Sequence, residues 1–413
     1  MTEYKILGQS ANDGNEENLY SVPSSKSAVV RAINVTNTSS TDDTFDISIL
    51  PTATVTENSM FVAVSPSSTV GSSDAASYST DGITWSGSTL PISEGNKSIA
   101  YGAGKFVVFA DQSNTGAYST DGISWSTSSL PTSAKSLREW KAVTYGDNKF
   151  VAVLSGLNIS ATSTDGITWN DRTMPSASNW QDVVYGGDKF VAIAGGFYTN
   201  TSSYSTDGIT WNANTISSSS NWSSITYGDG KFVAVAAASP TDGAYSTDGV
   251  GWSTSVLPVS GKSGSAWSSV THGNGRFVAV APAINTAAHS TDGATWQSST
   301  LPSSSSWQSI TYGNGTFIAV ARYSSEAATS TDGITWTSRT LSSSQDWSEI
   351  AHGSGSFELT RQTQNEDYIF NDFEILGNET VTIKGGYTME ENNILRIKST
   401  NGTSTFHAFG GEI

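Results

Sequence analysis

Seven copies of the phrase Ser-Thr-Asp-Gly-x-x-Trp organise this chain, with their aspartates at Asp81, Asp121, Asp165, Asp207, Asp248, Asp292 and Asp332. The spacing runs from 40 residues (Asp81 to Asp121) to 44 (Asp121 to Asp165). A unit of this size cannot bury an apolar face alone and must stack on its neighbours. A fixed turn and a fixed Trp at this period predict a β-propeller, with one four-stranded antiparallel blade per repeat.

One repeat, from Asn221 to Trp252, carries the whole pattern. Trp222 to Tyr227 alternates like a half-buried strand, and Gly228-Asp229-Gly230 reads as a tight turn. Lys231 to Ala236 is an apolar run that fits a strand covered on both faces. A variable connection follows, then a third strand at Ala244–Ser246, the Asp248-Gly249 turn, and a fourth strand opened by Trp252. At the ends the frame is incomplete. Phe61-Val62-Ala63-Val64 lacks a preceding first strand, and Trp347 to Gly353 is a first strand with no repeat after it. The two pieces complement each other, which predicts seven blades over 59–357, the last assembled from both ends of the region.

The flanks, 1–58 and 358–413, are a different kind of sequence. They hold 7 basic and 17 acidic residues, most of the net charge of −17. Short strand-like runs (Glu3–Leu7, Ala28–Thr36, Thr44–Leu50, Tyr368–Ile375, Glu379–Lys384, Ile394–Ser399, Ser404–Phe409) alternate with turn residues such as Gly385-Gly386. Neither flank can bury a core alone. The expected arrangement is an all-β chain: one split β-sandwich, an anchoring domain, with the propeller inserted into it.

Composition excludes several classes. The acidic balance argues against a nucleic-acid partner, because phosphate neutralisation needs clustered Lys and Arg. There is no cysteine, hence no disulfide framework or thiolate metal site. No apolar run reaches the roughly 20 residues of a membrane helix, and the start lacks the pattern of a secretory signal. The expectation is a protein made in the cytoplasm, without membrane insertion and without metal or other cofactor.

The repeated phrase, clearest at Ser205 to Trp211, resembles the Asp-box of sialidases and related propellers, although it is one residue shorter between Asp and Trp. The resemblance implies that all seven aspartates are structural and lie on a turn away from a catalytic face. A sialidase would need three converging arginines, and the repeats offer only Arg138, Arg172, Arg276, Arg322 and Arg339. Arg276 occupies a repeated turn position, and Arg172 and Arg339 share a position after the box Trp. Glu139, Asp182, Glu326 and Asp346 are scattered carboxylates without the pairing of a glycosidase. His272 and His352 stand where other repeats have Tyr, which suits a packing role. No catalytic residue is assigned.

Binding is expected on the face carrying the strand-two to strand-three connections, which differ most between repeats. The candidates are Phe197, Tyr198, Arg322 and Tyr323 in those connections. A second series, Trp140, Trp180, Trp222, Trp267, Trp307 and Trp347, opens each first strand on the same side. Indole faces suit sugar C–H surfaces, and packing between blades is their other role.

Finally, Leu19 to Lys26, Ala32–Asn37 and the closing Phe406 to Ile413 resemble a small β-sandwich module of tailed-bacteriophage structural proteins. The resemblance implies a virion surface component, of tail, fibre or capsid decoration, present in many copies or as a homo-oligomer. The sandwich would hold other virion proteins, and the propeller would attach to a host-surface glycan or a protein. The alternatives are a pure decoration or spacer protein and a glycan-degrading propeller enzyme.

Overall fold

The computed structural model describes the backbone of strands from both ends of the chain. It describes side chains over residues 59–354, apart from 67–74, 93–94, 96–97, 110–114, 131–138, 197, 238–241, 259–266 and 283. The chain divides into two compact units, Met1–Thr56 with Glu358–Ile413, and Glu57–Phe357.

The larger unit is all β and has a propeller-like arrangement. In the repeat that begins at Trp222, strands Trp222–Gly228, Lys231–Ala236, Asp242–Ser246 and Ser253–Val256 pair antiparallel in that order. Asp229 and Gly230 both take positive φ, as a two-residue hairpin turn demands. Phe232 to Ala236 is essentially inaccessible, so this strand is covered on both faces and its sequence does not alternate.

The expectation of separate four-stranded units needs correction in two places. Strands Asn170–Gly186 and Gln297–Gly313 are each 17 residues long. Each serves as the outer strand of one repeat and the innermost strand of the next, producing a six-stranded and a seven-stranded ladder. The Ser-rich link stays extended because it still finds partners: Ser178 pairs with Leu157 and Ser305 with Ile284. For the same reason Ser155–Ala161, one of the connections between second and third strands, lies inside the strand Lys149–Ser163.

Strand Glu349–Gly355 pairs with Asn58–Val64, from Glu349 opposite Val64 to Gly355 opposite Asn58. The two ends of the repeat region therefore share one sheet. Neighbouring repeats also interlock through the Tyr-Gly of each first hairpin. A Cβ on Gly102 would lie 2.0 Å from the ring of Tyr145 in the following repeat, so only glycine fits there. The same stacking recurs at Gly146 on Tyr185, Gly186 on Tyr227, Gly228 on His272, Gly273 on Tyr312, Gly313 on His352 and Gly353 on Tyr101. Apolar cores sit between repeats. One of them joins Phe61, Ala63 and Trp85 to Ile318, Val320 and Leu341.

The smaller unit holds two four-stranded antiparallel sheets. One runs Lys5–Ala11, Ser404–Glu412, Ala28–Asn37, Thr380–Met389, and the other Glu17–Ser21, Ile394–Ser399, Asp43–Leu50, Asp367–Ile375. Each sheet interleaves N-terminal and C-terminal strands. The Gly385-Gly386 pair, expected as a turn, lies inside a strand where the register shifts, between the Val30–Tyr387 and Ala32–Lys384 pairs.

Candidate functional site

The repeated turn is a hydrogen-bond clamp. In the fourth copy, Asp207 Oδ1 accepts the N–H of Ile209 at 2.8 Å and of Thr210 at 2.7 Å. Ser205 Oγ donates to the same oxygen at 2.9 Å and accepts the N–H of Gly208 at 2.8 Å. The other six copies repeat these bonds. Burial pushes the Asp207 carboxyl up, but the N–H groups of Thr210 and Ile209 outweigh it and hold it at about 2. Asp292 and Asp332 are likewise held at about 2, and Asp81, Asp121, Asp165 and Asp248 below the usual carboxylate range. Oδ1 is committed to its own turn, and the geometry is that of a fastener. Among the described residues, no group of three or more His, Asp or Glu is arranged to hold a metal.

The structure corrects the Trp series as a ligand platform. Trp140, Trp180, Trp222, Trp267, Trp307 and Trp347 are each at most 1% exposed and present no ring face to solvent. They fill the cores between repeats: Trp180 packs with Val151, Met174 and Phe190, and Trp222 with Val191, Ile216 and Phe232.

Two carboxylates occupy a place that their positions along the chain did not disclose. The residue two after each of these Trp residues lies on an innermost strand, as does Ser98 at the matching place in a repeat without the Trp, and wherever it carries an oxygen it reaches the backbone of the next repeat. Ser98 Oγ accepts from Val143 N at 3.1 Å, Ser224 Oγ from Val270 N at 3.3 Å, Ser269 Oγ from Ile310 N at 3.4 Å and Ser309 Oγ from Ile350 N at 3.3 Å. Asp182 Oδ2 accepts from Ile225 N at 2.8 Å, and Glu349 Oε2 from Ile99 N at 3.0 Å. The carboxyl bonds are the shorter ones. Position 142 is alanine and offers no acceptor. Val183 N, which would have used it, donates instead to Asp182 Oδ1 at 2.8 Å. Both acids are half-buried, yet enough protein surrounds them to disfavour charge. Burial pushes Asp182 up to about 6 against the N–H groups of Ile225 and Val183. Burial, then the charge of Asp182, pushes Glu349 up to about 8. Lining up position Trp+2 across the repeats (Ala142, Asp182, Ser224, Ser269, Ser309, Glu349) is the sequence signal that exposes this ring.

On the side of the second connections, two expected residues stand out. Tyr198 is 64% exposed and Tyr323 71% exposed, each at the tip of its connection, with φ of 51° and 53°. Phe197 lies outside the described residues. Left-handed backbone is unfavourable for a bulky residue, and neither ring recovers that cost by burial. The Arg322 guanidinium lies 5.1 Å from the Tyr323 ring centroid. It forms a two-pronged pair with Asp346, Nε to Oδ1 at 2.5 Å and Nη2 to Oδ2 at 2.8 Å. Asp346 is 8% exposed, so the pair is rooted in the protein. Close by, Glu326 Oε2 accepts from Ser303 Oγ at 2.8 Å and from Ser305 Oγ. Ser306, next to Ser305, pairs with Arg322, which brings Glu326 and Arg322 to one neighbourhood.

Among the described residues, the other arginines do not converge. Arg276 donates to the Asp332 carbonyl, Arg172 to that of Asp171 and Arg339 to that of Ser338. Arg138 and His407 lie outside the described residues. His272 and His352 take the place of Tyr in the stacking on glycine, and His352 Nε2 lies 2.6 Å from Ser59 Oγ. Burial lowers the pKa of His352, and burial followed by the charge of Arg276 lowers that of His289.

No family model matches the chain, and no curated protein does. Solved structures do resemble it. Virginiamycin B lyase from Staphylococcus aureus is 15% identical, with 74% of this chain and 94% of that chain covered and a TM-score of 0.55. A streptogramin B lyase structure is 13% identical over 67% of this chain and 95% of that one, with a TM-score of 0.54. A protein from Lactobacillus plantarum is 8% identical over 71% and 99%, with a TM-score of 0.54. At such identities the likeness speaks to the propeller fold alone.

Proposed function

We propose that the chain is a non-catalytic binding protein of a virus particle, built as a closed seven-bladed propeller carried by a split β-sandwich. The count of seven draws support from the seven boxes, the glycine stacking that runs from Gly102 round to Gly353 on Tyr101, and the shared sheet of Glu349–Gly355 with Asn58–Val64. The sandwich reading draws on the two interleaved four-stranded sheets. The virion setting rests on the flank motifs, and the sandwich would hold the particle or other copies of the chain.

One observation carries the binding role: Tyr198 and Tyr323 hold strained, exposed aromatic rings on the side where the repeats differ. A host-surface glycan is the ligand favoured by aromatic rings beside hydroxyl-rich strands. Single contacts of this kind are weak, and many copies supply avidity. Catalysis is not part of the reading. Among the described residues, the repeat arginines are pinned to carbonyls or to Asp346, and the axial carboxylates are engaged by backbone N–H groups.

The test is binding of the full chain to host lipopolysaccharide and capsule fractions, with Tyr198→Ala/Tyr323→Ala as the comparison. Loss of binding by tenfold or more in the double variant is expected. Silence of the unaltered chain across all fractions removes the binding role. The second reading, a spacer, is favoured by the burial of all six Trp, and that silence would leave it standing.

A further inference from the structure

We infer that Tyr323, Arg322, Asp346 and Glu326 form a subsite for a neutral pyranose, with Tyr323 as the stacking platform. The inference rests on the glycan-binding reading and names the class of sugar and the place.

Four features of the cluster lead there. First, Arg322 lies within cation–π range of the Tyr323 ring, and Asp346 fixes that arginine by two hydrogen bonds. A tyrosine at a loop tip is ordinarily free to swing. This one stands beside an immobile guanidinium while most of its surface remains open to solvent. The guanidinium gives the ring a fixed neighbour to rest against, which favours weak-ligand recognition.

Second, the charge balance selects the ligand. Arg322 is already neutralised by Asp346, and Glu326 adds a further negative charge. A uronic or sialic acid would meet a site of net −1 whose only arginine is occupied. A neutral sugar meets the Glu326 carboxylate instead, which accepts a hydrogen bond from a hydroxyl.

Third, Glu326 is held on one side only. Ser303 and Ser305 both direct their hydroxyls to Oε2. This orients the carboxylate, and Oε1 remains as an acceptor for a ligand hydroxyl.

Fourth, the site is not a general property of the fold. The corresponding tip at Tyr198 has no charged group in its connection, and it is set by amides. Asn221 Oδ1 accepts from Gly196 N, and Thr199 donates to Thr201 at 2.8 Å. Among the described residues, the strained tyrosine recurs in two repeats, but the Arg–Asp–Glu setting occurs in one.

The experiment titrates the full chain, by calorimetry and by tyrosine and tryptophan fluorescence. The probes are linear hexasaccharides of glucose, galactose or mannose, with a galacturonic acid hexamer as the acidic counterpart. At least one neutral probe is expected to bind tenfold or more tighter than the acidic one. Tyr323→Ala should weaken that binding tenfold or more, and Tyr323→Trp should keep it. Glu326→Gln should weaken it by about threefold. Asp346→Asn, which releases Arg322, should narrow the gap between neutral and acidic probes. Thermal unfolding of each variant shows whether the fold is retained, and Tyr323→Trp keeps the test valid if Tyr323→Ala unfolds. Preference for the acidic probe overturns the inference. If a neutral sugar binds but responds to Tyr198→Ala and not to Tyr323→Ala, the binding reading survives and this placement falls. If no sugar binds, both fall.

Discussion

Asp207 and Glu349 carry the same functional group in opposite circumstances. Asp207 sits in a turn where two backbone N–H groups and a serine hydroxyl point at one oxygen, and its carboxyl is held at about 2. Glu349 sits on an innermost strand with one backbone N–H at Oε2 and the charge of Asp182 within reach, and its carboxyl is pushed up to about 8. Both acids fasten backbone. In the turn, donor density outweighs desolvation and the charged form is the stable one. Around the axis, desolvation and like charge win, and the neutral form is favoured. A carboxylate in a repeat protein thus says little until its donors are counted.

The largest expected consequence is a stability profile with two opposed limbs. Asp182 and Glu349 have folded-state values above the ordinary carboxylate range. Their contribution is complete at low pH and is lost as pH rises through about 6 and then about 8. The box aspartates are depressed, so their contribution is present above the ordinary range and is lost as pH falls through about 2. Stability should therefore peak near pH 4 to 5, roughly where both sets are in their preferred state. From there to pH 8 it should fall by up to about 1.4 kcal/mol per pH unit for each proton that the folded chain still holds and the unfolded chain has lost. Urea midpoints measured from pH 3 to 9 check this. Glu349→Gln keeps an oxygen for Ile99 N and cannot titrate, so it should flatten the alkaline limb. An unchanged limb would mean that the axial acids do not set it.

Cutting a box is the next largest effect. Asp207→Ala leaves the N–H groups of Ile209 and Thr210 without their acceptor. The expected cost is about 2 kcal/mol near pH 5, shrinking toward pH 2 as the native carboxylate itself becomes protonated. The turn is solvent-exposed, so water takes up part of the loss. A cost that does not change between pH 5 and 2 would show that the clamp acts through shape and not charge.

The same contrast explains what the sequence disclosed. The boxes recur seven times, so their period exposes the propeller, and the complementary ends at Val64 and Glu349 are visible as half-repeats. The buried Trp series misled because recurrence on the varied side looks like display. Position Trp+1 shows a local bulge, with the register shifting between Trp222 and Ser224, and the indole turns into the core. Asp182 reads from the sequence only as a scattered carboxylate, and Glu349 not at all, because a deviation within a repeat is visible only after alignment of one position across all copies. The Arg322–Asp346 pair joins the end of a strand to a connection 24 residues later and has no local signature. The strand Glu17–Ser21 was missed because Glu17-Asn18 has low strand propensity, and its partner Ile394–Ser399 lies at the far end of the chain.

The smallest expected effect tests the axial ring most sharply. Asp182 performs two tasks: Oδ2 bridges to Ile225 N, as serines do elsewhere, and Oδ1 covers Val183 N because Ala142 cannot. Asp182→Ser should keep the first and lose the second, costing about 1 kcal/mol near pH 4, where Asp182 is still uncharged in the folded chain. Ala142→Ser should supply the missing acceptor to Val183 N, as Ser98 does for Val143 N. Combined, the two changes should restore stability, with a coupling of about 1 kcal/mol between positions on adjacent strands. The double variant should also lower the Glu349 pKa, since the nearby charge of Asp182 is gone, and shift the alkaline limb upward. Serine at 142 has room by analogy with Ser224 and Ser309, which occupy the same ring position at 7% and 6% exposure. Strict additivity of the two substitutions would mean that Val183 N is satisfied by other means, and that the extra carboxylate oxygen at the axis does not compensate for the alanine.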